Sequence, residues 1–392
     1  MATIIGLAQD FVGSNNINIL EPVGQFGTRV KGGHDAASAR YINTKINPLA
    51  YIIFNSKDFP LLKYLDDDGT SIEPMWYTPI IPMILVNGTQ GIGTGFSTSI
   101  PCYNPKDIVM NILRKIDQEP IKKMKPWYRG FKGIIERNGS KGYISKGIFK
   151  KTGDKIMEIT ELPIGVWTDP YMDFIDTLVL SKKDPKKSQI LKNVKTYNSD
   201  TEVHIILEFI KPINQVFRDT DEVERGLKLT HQLNTSNMNL YDANNVIKKY
   251  KSPEEIIDEF YVVRLQQYIY RRKYILTILR REMKILETKA KFILFVSEGK
   301  IVVNKRSKQN IIEQLTEHEF PTWESLNDKE EGDEMYDYLL RMPLYNLTIE
   351  KIEEFMNRLQ AKKSEYNTLK SKTPEDLWRE DLNEFYEAYT KE

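Results

Sequence analysis

The fold of this chain is decided by the stretch Glu21-Pro-Val-Gly-Gln-Phe-Gly-Thr-Arg-Val-Lys-Gly-Gly-His-Asp35, which leads through Ala36-Ala-Ser-Ala39 to Arg40-Tyr41. A basic residue directly precedes a phenol here, an arrangement that suggests a nucleophile beside a group that stabilises charge. A tyrosine oxygen can attack a phosphodiester and keep the broken strand as an ester. An arginine fork can hold two oxygens of the same phosphate. The alternative is a surface tyrosine that packs its ring and leaves its hydroxyl in water.

Further motifs extend this pattern along the chain. They are Glu73-Pro-Met-Trp-Tyr-Thr-Pro-Ile-Ile-Pro82, Leu85-Val-Asn-Gly-Thr-Gln-Gly-Ile-Gly-Thr-Gly-Phe-Ser97, Lys125-Pro-Trp-Tyr-Arg-Gly-Phe-Lys-Gly133, Ile159-Thr-Glu-Leu-Pro163 with Trp167, and Asp376-Leu-Trp378. Together with the first stretch, they resemble the breakage-reunion region of eukaryotic-type DNA topoisomerase II, a type IIA enzyme. The resemblance implies that Tyr41 is the covalent nucleophile and that Arg40 helps to stabilise the transition state. It implies reversible transesterification through a 5′-phosphotyrosine, which opens one duplex so that another can pass.

Glycines flank Ile92 in the segment Gly91-Ile-Gly-Thr-Gly95. This segment lacks the lysine of a phosphate-binding P-loop, so a nucleotide site is a weak interpretation. The glycines leave one apolar side chain exposed at an apex, where it can act as a wedge between base pairs. The resemblance implies that Ile92 is the family's intercalating isoleucine, whereas from the residues alone a buried isoleucine is the ordinary alternative.

Further DNA contacts are predicted in two regions. Near the nucleophile, Arg29, Lys31 and His34 are expected to neutralise phosphates, and His34 stands where the family usually has lysine, which makes that charge pH-dependent. Trp167 matches a family tryptophan near DNA, with a core aromatic as the alternative. A second segment matches a family stretch that interacts with DNA, and its polar side chains suit phosphate contacts; they are Lys228, Thr230, Gln232, Thr235, Ser236 and Asn237.

The sequence predicts an α+β multidomain fold. Short β-like runs alternate with helices between residues 104 and 249, a pattern typical of a mixed domain. The resemblance implies a partial winged-helix domain with the catalytic tyrosine at residues 1–103, an α/β tower domain at 104–249, and a long antiparallel coiled coil with a helical dimerisation gate at 250–392. It also implies that the winged-helix domain is truncated at its N-terminus and that the chain is an excised fragment.

A very long helix is predicted to begin at Ser252-Pro-Glu-Glu255, where a capping box coincides with proline at the first helical position. About forty helical residues would span roughly 60 Å. A second periodic stretch, beginning at Thr348, can pack against it in the antiparallel direction. A helical spacer within a monomer is one interpretation; the resemblance instead implies a homodimer joined at the tips of two such hairpins, the C-gate.

Composition limits the other classes of function. The net charge of the 392 residues is +1, so any DNA-binding surface must be local. The only cysteine, Cys102, excludes a disulfide framework, and no apolar run approaches the length of a membrane span. We expect an intracellular protein without membrane partners, in the nucleus or in the cytoplasm of a virus-infected host cell.

No metal ligands are predicted in this chain, and Asp66-Asp67-Asp68 is interpreted as a solvated turn. The resemblance implies that Mg²⁺ and ATP are bound outside this chain, by a TOPRIM domain and an ATPase domain, so the chain is expected to be inactive alone. Two alternatives remain: a non-catalytic module for DNA binding and dimerisation, and a separately encoded polypeptide of a gyrase-A-like enzyme.

Overall fold

The computed structural model describes residues 1–139, 142–179, 189–326, 335–343 and 348–391. The chain divides into two compact units, the first formed by Met1–Arg264 with Arg379–Glu392 and the second by Leu265–Trp378. The first turns of the long helix belong to the first unit because Arg264 is buried there against Asp58, with 2.7 Å between Nη2 and Oδ2. The domain boundaries predicted after residues 103 and 249 stay predictions.

The first third of unit 1 consists of short helices and two-stranded ladders. They are α1 (Ala2–Ala8), β1 (Leu20–Val23), the 3-10 turn η1 (Ala39–Tyr41), β2 (Asn43–Ile46), α2 (Pro48–Ile53), the 3-10 helix η2 (Ser56–Leu61), β3 (Tyr64–Asp67), β4 (Thr70–Pro74), α3 (Met83–Val86), β5 (Thr89–Ile92), β6 (Ser97–Ile100) and α4 (Pro105–Ile116). Asn47 and Asn104 cap α2 and α4 through side-chain oxygens, and proline follows each of them. This combination fixes a helix start locally.

The rest of unit 1 carries most of its sheet structure. Its elements are β7 (Ile134–Arg137), β8 (Tyr143–Lys146), β9 (Ile148–Lys151), β10 (Ile156–Glu161), α5 (Thr168–Thr177), β11 (Leu191–Thr196), β12 (Ile205–Phe209), α6 (Ile213–Val216), α7 (Thr220–Gly226), β13 (Thr230–Leu233), β14 (Met238–Tyr241) and β15 (Ile247–Tyr250). The strands form antiparallel sheets of order β11-β12-β10-β9 and β13-β8-β7, with β14-β15 as a separate pair. The predicted α+β class is confirmed.

The four-stranded sheet packs one face into a core. Along β10 and β12, alternate residues such as Met157, Ile159, Ile205 and Leu207 are fully buried. A period of two places such residues on one face of a strand. The buried face continues under helix α5, where Tyr171 donates a hydrogen bond to the Leu227 carbonyl at 2.9 Å.

The helices of the remaining chain are α8 (Pro253–Ser297), α9 (Lys308–Glu317), α10 (Trp323–Leu326), α11 (Asp337–Leu340), α12 (Ile349–Ser371) and α13 (Pro374–Lys391). At the start of α8 the Ser252 hydroxyl accepts the Glu255 N–H at 3.3 Å, while the Glu255 carboxylate accepts the Lys251 N–H at 2.7 Å. The predicted helix start is thereby confirmed. The 45 residues of α8 give the helix a length of about 68 Å at 1.5 Å per residue.

Within unit 2, α8 and α12 pack against each other in the antiparallel direction. Arg272 donates to the Lys370 carbonyl at 2.8 Å, and ten residues further along α8, Glu282 pairs with Lys362 at 2.9 Å. Leu286 and Leu359 belong to one buried cluster still further on. A second apolar cluster encloses the connection after α8; it includes Phe292, Ile301, Leu315, Phe320, Tyr338 and Leu339. No helix among the described residues combines the length and apolarity that crossing a membrane requires.

Candidate active site

Tyr41 ends the turn η1 with its side chain directed to solvent. It is 70% exposed, and its N–H donates to the Ser38 carbonyl at 2.9 Å. The Arg40 guanidinium carbon lies 5.0 Å from the centre of the Tyr41 ring, within the range of a cation–π contact. Two residues later the backbone enters β2, which pairs with β1 from Val23↔Asn43 to Leu20↔Ile46. The structure therefore places the predicted nucleophile and its arginine together on the surface, beside an ordered ladder.

The glycine-rich loop before Tyr41 is closed on itself by Asp35. Its carboxylate accepts the Thr28 N–H at 2.9 Å and the Thr28 hydroxyl at 2.5 Å. A Cβ on Gly27, where φ is +97°, would lie 2.6 Å from the Gly33 backbone, so the loop needs glycine at this position. Burial acts to raise the pKa of Asp35, but the hydrogen bonds from Thr28 and the charge of Lys31 outweigh it and hold the pKa below its usual range.

Arg29 differs from the prediction that it neutralises a DNA phosphate. Its side chain is buried and forms an ion pair with Glu161, which is itself only 1% exposed. The Glu161 carboxylate also accepts the backbone N–H groups of Leu162 at 3.0 Å and Lys132 at 3.2 Å. The charge of Arg29 is thus neutralised inside the protein, and this residue holds the glycine-rich loop to the end of β10.

Trp167 is half-buried beneath the same loop. A Cβ on Gly32, where φ is +61°, would lie 2.3 Å from the indole Nε1, so the ring occupies the space that a side chain would fill. The opposite part of the indole makes an edge-to-face contact with Phe11, with 5.6 Å between ring centres. Trp167 therefore packs against the loop and supports its position, and its contact with DNA stays a prediction.

The two other predicted cations near the nucleophile lie on the surface. Lys31 and His34 are both exposed, and the Lys31 Nζ lies 3.7 Å from the Asp169 carboxylate. An exposed pair at this distance contributes little to stability, so Lys31 stays available to a phosphate. Their contact with DNA stays a prediction.

Ile92 stands at the end of β5 and is 93% exposed. The hairpin pairs Thr89 with Ile100 and Ile92 with Ser97. A Cβ on Gly91 would meet no atom within 4 Å, which shows that the tip is open on this side. The exposed apolar apex predicted from the flanking glycines is confirmed, and its insertion into DNA stays a prediction.

Some side chains of the segment from Lys228 to Asn237 lie on the surface, and others contact neighbouring parts of the protein. Lys228 Nζ lies 4.1 Å from the centre of the Phe174 ring, and Gln232 accepts a hydrogen bond from Asn138 at 3.0 Å. Thr230 and Thr235 are partly buried and Ser236 is exposed. Asn237 instead donates to the hydroxyl of Ser97 at 2.8 Å, and Ser97 is the residue paired with Ile92 in its hairpin.

Two groups that could be mistaken for reactive centres are explained by their surroundings. Asp66, Asp67 and Asp68 are exposed in the β3–β4 hairpin. Among the described residues no group of three histidine, cysteine or acidic side chains could hold a metal ion. Burial raises the pKa of the Cys102 thiol to about 12, which keeps it protonated and unreactive.

A model of the A-subunit family of DNA gyrase/topoisomerase IV matches residues 1–383. The chain belongs to this family. The curated proteins similar to it include DNA topoisomerase 2 of Penicillium chrysogenum, 41% identical over 98% of this chain and 25% of that protein. DNA topoisomerase 2 of Acanthamoeba polyphaga mimivirus is 38% identical over 99% of this chain and 35% of that protein. The chain therefore spans about a quarter to a third of the length of these topoisomerases.

A solved structure is also similar to this member of the topoisomerase family. It is the Plasmodium falciparum topoisomerase II DNA-binding, cleavage and re-ligation domain, with a TM-score of 0.89 and 40% identity. The match covers 99% of this chain and 55% of that one. The resemblance to topoisomerase II drawn from the sequence motifs is confirmed.

The residues that fix the glycine-rich loop from within the protein were not predicted from the sequence. Glu161 was noted only as part of a motif, because its partner Arg29 is 132 positions away. The strand pattern contained a signal: the period of two in β10 places Glu161 on the same buried face as Met157 and Ile159, and a buried carboxylate requires a partner. Gln9 gave no such signal, yet its amide donates to the Phe26 carbonyl at 3.0 Å and braces the loop.

Proposed function

We propose that this chain is the DNA breakage and rejoining core of a type IIA topoisomerase, an isomerase that alters DNA topology. The observation that carries the proposal is the exposed Tyr41 beside Arg40, on a chain similar to a topoisomerase II domain for DNA binding, cleavage and re-ligation. A nucleophile that must reach a phosphate within duplex DNA needs this exposure. A tyrosine that serves only in packing does not need it.

The reaction that fits the pair is a reversible transesterification. The Tyr41 oxygen loses its proton and attacks the phosphorus, the bond to the 3′ oxygen breaks, and that oxygen takes up a proton as the 5′ end stays on Tyr41. Arg40 holds the phosphate oxygens, on which negative charge grows in the transition state. The reverse attack by the 3′ hydroxyl reseals the strand, because the ester conserves the energy of the original bond.

Duplex DNA is held by the exposed groups around these residues. Ile92 enters a base step and bends the duplex, at a cost of about a few kcal/mol that the additional backbone contacts offset. Lys31 and His34 contact phosphates near Tyr41. The outer contacts come from Lys228, Thr230, Gln232, Thr235 and Ser236. The buried Arg29, the half-buried Trp167 and the partly exposed Asn237 position these elements.

The complete reaction needs more than this chain supplies. We assign Mg²⁺ and ATP to sites outside it, and a homodimer, joined through the helices after α8, to the passage of a second duplex. The proposed location is intracellular, in the nucleus or in the cytoplasm of a virus-infected cell; relatives include topoisomerases of Arabidopsis thaliana and of a mimivirus.

The test is covalent capture of DNA by Tyr41→Phe, in an assay complemented with the remaining domains of a related DNA topoisomerase 2. We expect wild-type protein to form a DNA-linked band on a denaturing gel and Tyr41→Phe to form none, with duplex affinity unchanged. Arg40→Ala should lower the yield about 10²-fold or more. Tyr51→Phe, which alters another exposed tyrosine, is the matched control.

Two outcomes would contradict the proposal. A Tyr41→Phe protein that links DNA at wild-type yield would show that the nucleophile lies elsewhere. A wild-type protein that binds DNA and dimerises but never forms the linkage would be the non-catalytic module that the sequence left open.

A further inference from the structure

The hairpin that carries Ile92 is held by two asparagine side chains at Ser97, the first residue of β6 after the turn. Asn237 donates through Nδ2 to the Ser97 hydroxyl at 2.8 Å. Asn239 donates through Nδ2 to the Ser97 carbonyl at 2.8 Å and to the Asn237 side-chain oxygen at 2.8 Å. We call these three residues, Ser97, Asn237 and Asn239, the amide clasp.

The amide clasp acts directly across from the wedge. Ser97 is the residue paired with Ile92 in the β5–β6 ladder. Its hydroxyl and its carbonyl both accept hydrogen bonds from the asparagines of the clasp. The backbone adds a further bond two residues on, where the Ser99 N–H donates to the Asn237 carbonyl at 2.8 Å. These bonds join residues 237–239 to β6 and fix Ser97, the residue opposite Ile92.

The tip beyond the clasp has little else to hold it. A Cβ on Gly91 or Gly95 would meet no atom within 4 Å, and on Gly93 it would meet only Phe96 of the same hairpin. An isolated two-stranded hairpin is marginally stable in water. The direction in which Ile92 points is therefore set through its paired residue Ser97, which the clasp holds next to the turn.

We infer that Asn239, acting with Asn237, is the positioning residue that makes the hairpin stiff enough for Ile92 to open a base step. The inference rests on the wedge role of Ile92 in the proposed function. Unstacking a base step costs free energy, and a hairpin that could change its direction would move aside before the base pairs separated. Both N–H groups of the Asn239 amide are occupied by the clasp, so its donors are not free for DNA.

The experiment compares Asn239→Leu, which keeps the size and removes both donors, with Ile92→Ala and with the double variant. The control is Asn244→Leu, in the exposed turn between β14 and β15. Bending is measured by energy transfer between dyes at the two ends of a duplex, unstacking by 2-aminopurine fluorescence at the bent step, and affinity by anisotropy. Thermal melting followed by circular dichroism checks that each variant folds.

We expect Asn239→Leu to lower bending and 2-aminopurine fluorescence several-fold, close to the level of Ile92→Ala, with duplex affinity within about twofold of wild type. The double variant should be no worse than Ile92→Ala alone, because two residues that act through one wedge are not additive. Asn239→Gln, which keeps the donors on a longer stem, should recover part of the signal, whereas Asn244→Leu should change nothing.

The outcomes separate this inference from the function on which it rests. If Ile92→Ala leaves bending unchanged, the wedge itself is wrong and the clasp has nothing to position. If Ile92→Ala lowers bending and Asn239→Leu does not, the wedge stands and the clasp inference is wrong. Losses that add in the double variant, or an equal loss of affinity, would make Asn239 a general structural or DNA-contacting residue and also overturn the inference.

Discussion

Two arginines in one short region, Arg29 and Arg40, have opposite surroundings and therefore different roles. Arg40 is exposed beside Tyr41, whereas Arg29 is buried with Glu161. A buried pair whose remaining hydrogen-bonding positions are filled can be maintained, but removing one partner leaves a charge in a poorly solvated place. The distinction matters for mutagenesis, since loss of activity in an Arg29 variant would reflect loop position and not loss of a phosphate contact.

We expect Glu161→Ala to lower the free energy of unfolding of unit 1 by about 3–5 kcal/mol, because Arg29 is left buried and unpaired. The control is Lys45→Ala, which breaks an exposed pair with Glu21 and should cost less than about 1 kcal/mol. Urea unfolding followed by tryptophan fluorescence measures both. Equal effects would show that Arg29 reaches solvent when Glu161 is lost.

Asp35 predicts a dependence of stability on pH. Its pKa is lowered from 3.8 in the folded protein, so its contribution to stability is complete above 3.8 and is lost as the pH falls through the lower folded value. The difference in unfolding free energy between wild type and Asp35→Asn should be constant near neutral pH and should shrink in acid below 3.8. Asp68→Asn, in an exposed turn, is the control, and a pH-independent difference for Asp35→Asn would contradict the prediction.

Single residues were predictable where a local pattern settled their surroundings. Glycines on both sides of Ile92 indicated an exposed apex, but a buried isoleucine was the ordinary alternative from the residues alone, and the family resemblance decided between the two. Arg29 could not be placed in this way, because whether a basic residue of a glycine-rich loop faces water or protein depends on a carboxylate 132 positions away.

At the scale of elements, the pairing of α8 with α12 was predictable because both helices carry their own start signals and an apolar period. Thr348 caps α12 by accepting the Lys351 N–H, as Ser252 does for α8. The contact between the Ile92 hairpin and β14 was not predictable, since it joins Ser97 to Asn237 across 140 positions through side chains that look like ordinary surface polar groups.

The packing of α8 against α12 yields a paired test. Leu359 is 3% exposed within the buried cluster that includes Leu286 and Phe355, whereas Met356 on the same helix is 50% exposed. Leu359→Ala should destabilise unit 2 by about 2–5 kcal/mol through lost burial and the cavity left behind, while Met356→Ala should stay within about 0.5 kcal/mol. Chemical unfolding followed by far-ultraviolet circular dichroism measures both, and equal effects would argue against this helix register.

For the whole molecule, a net charge of +1 means that the proposed affinity for DNA must come from local basic surfaces. Binding should weaken steeply with salt nonetheless, because each neutralised phosphate releases counterions. The proposed dimer adds a second copy of every DNA contact. The affinity of the dimer for a long duplex therefore depends on both protomers.

We predict that the chain dimerises through the region between residues 293 and 348, of which 327–334 and 344–347 lie outside the described residues, yet does not relax supercoiled DNA by itself. The reason is that the proposed reaction takes Mg²⁺ and ATP from sites outside this chain. Sedimentation at high concentration and a plasmid relaxation assay measure the two parts. A strictly monomeric chain would contradict the first part, and relaxation by the chain alone would contradict the second.

The burial of Cys102 makes this protein convenient for spectroscopy. The only thiol of the sequence is shielded and stays protonated at neutral pH, and maleimide reagents react with the thiolate. A cysteine introduced at an exposed position, such as Asp68→Cys or Asn244→Cys, would be the one that takes the dye in the folded protein. Opening of the proposed gate and exchange of protomers in the proposed dimer could then be followed by single-molecule methods without first deleting the native residue.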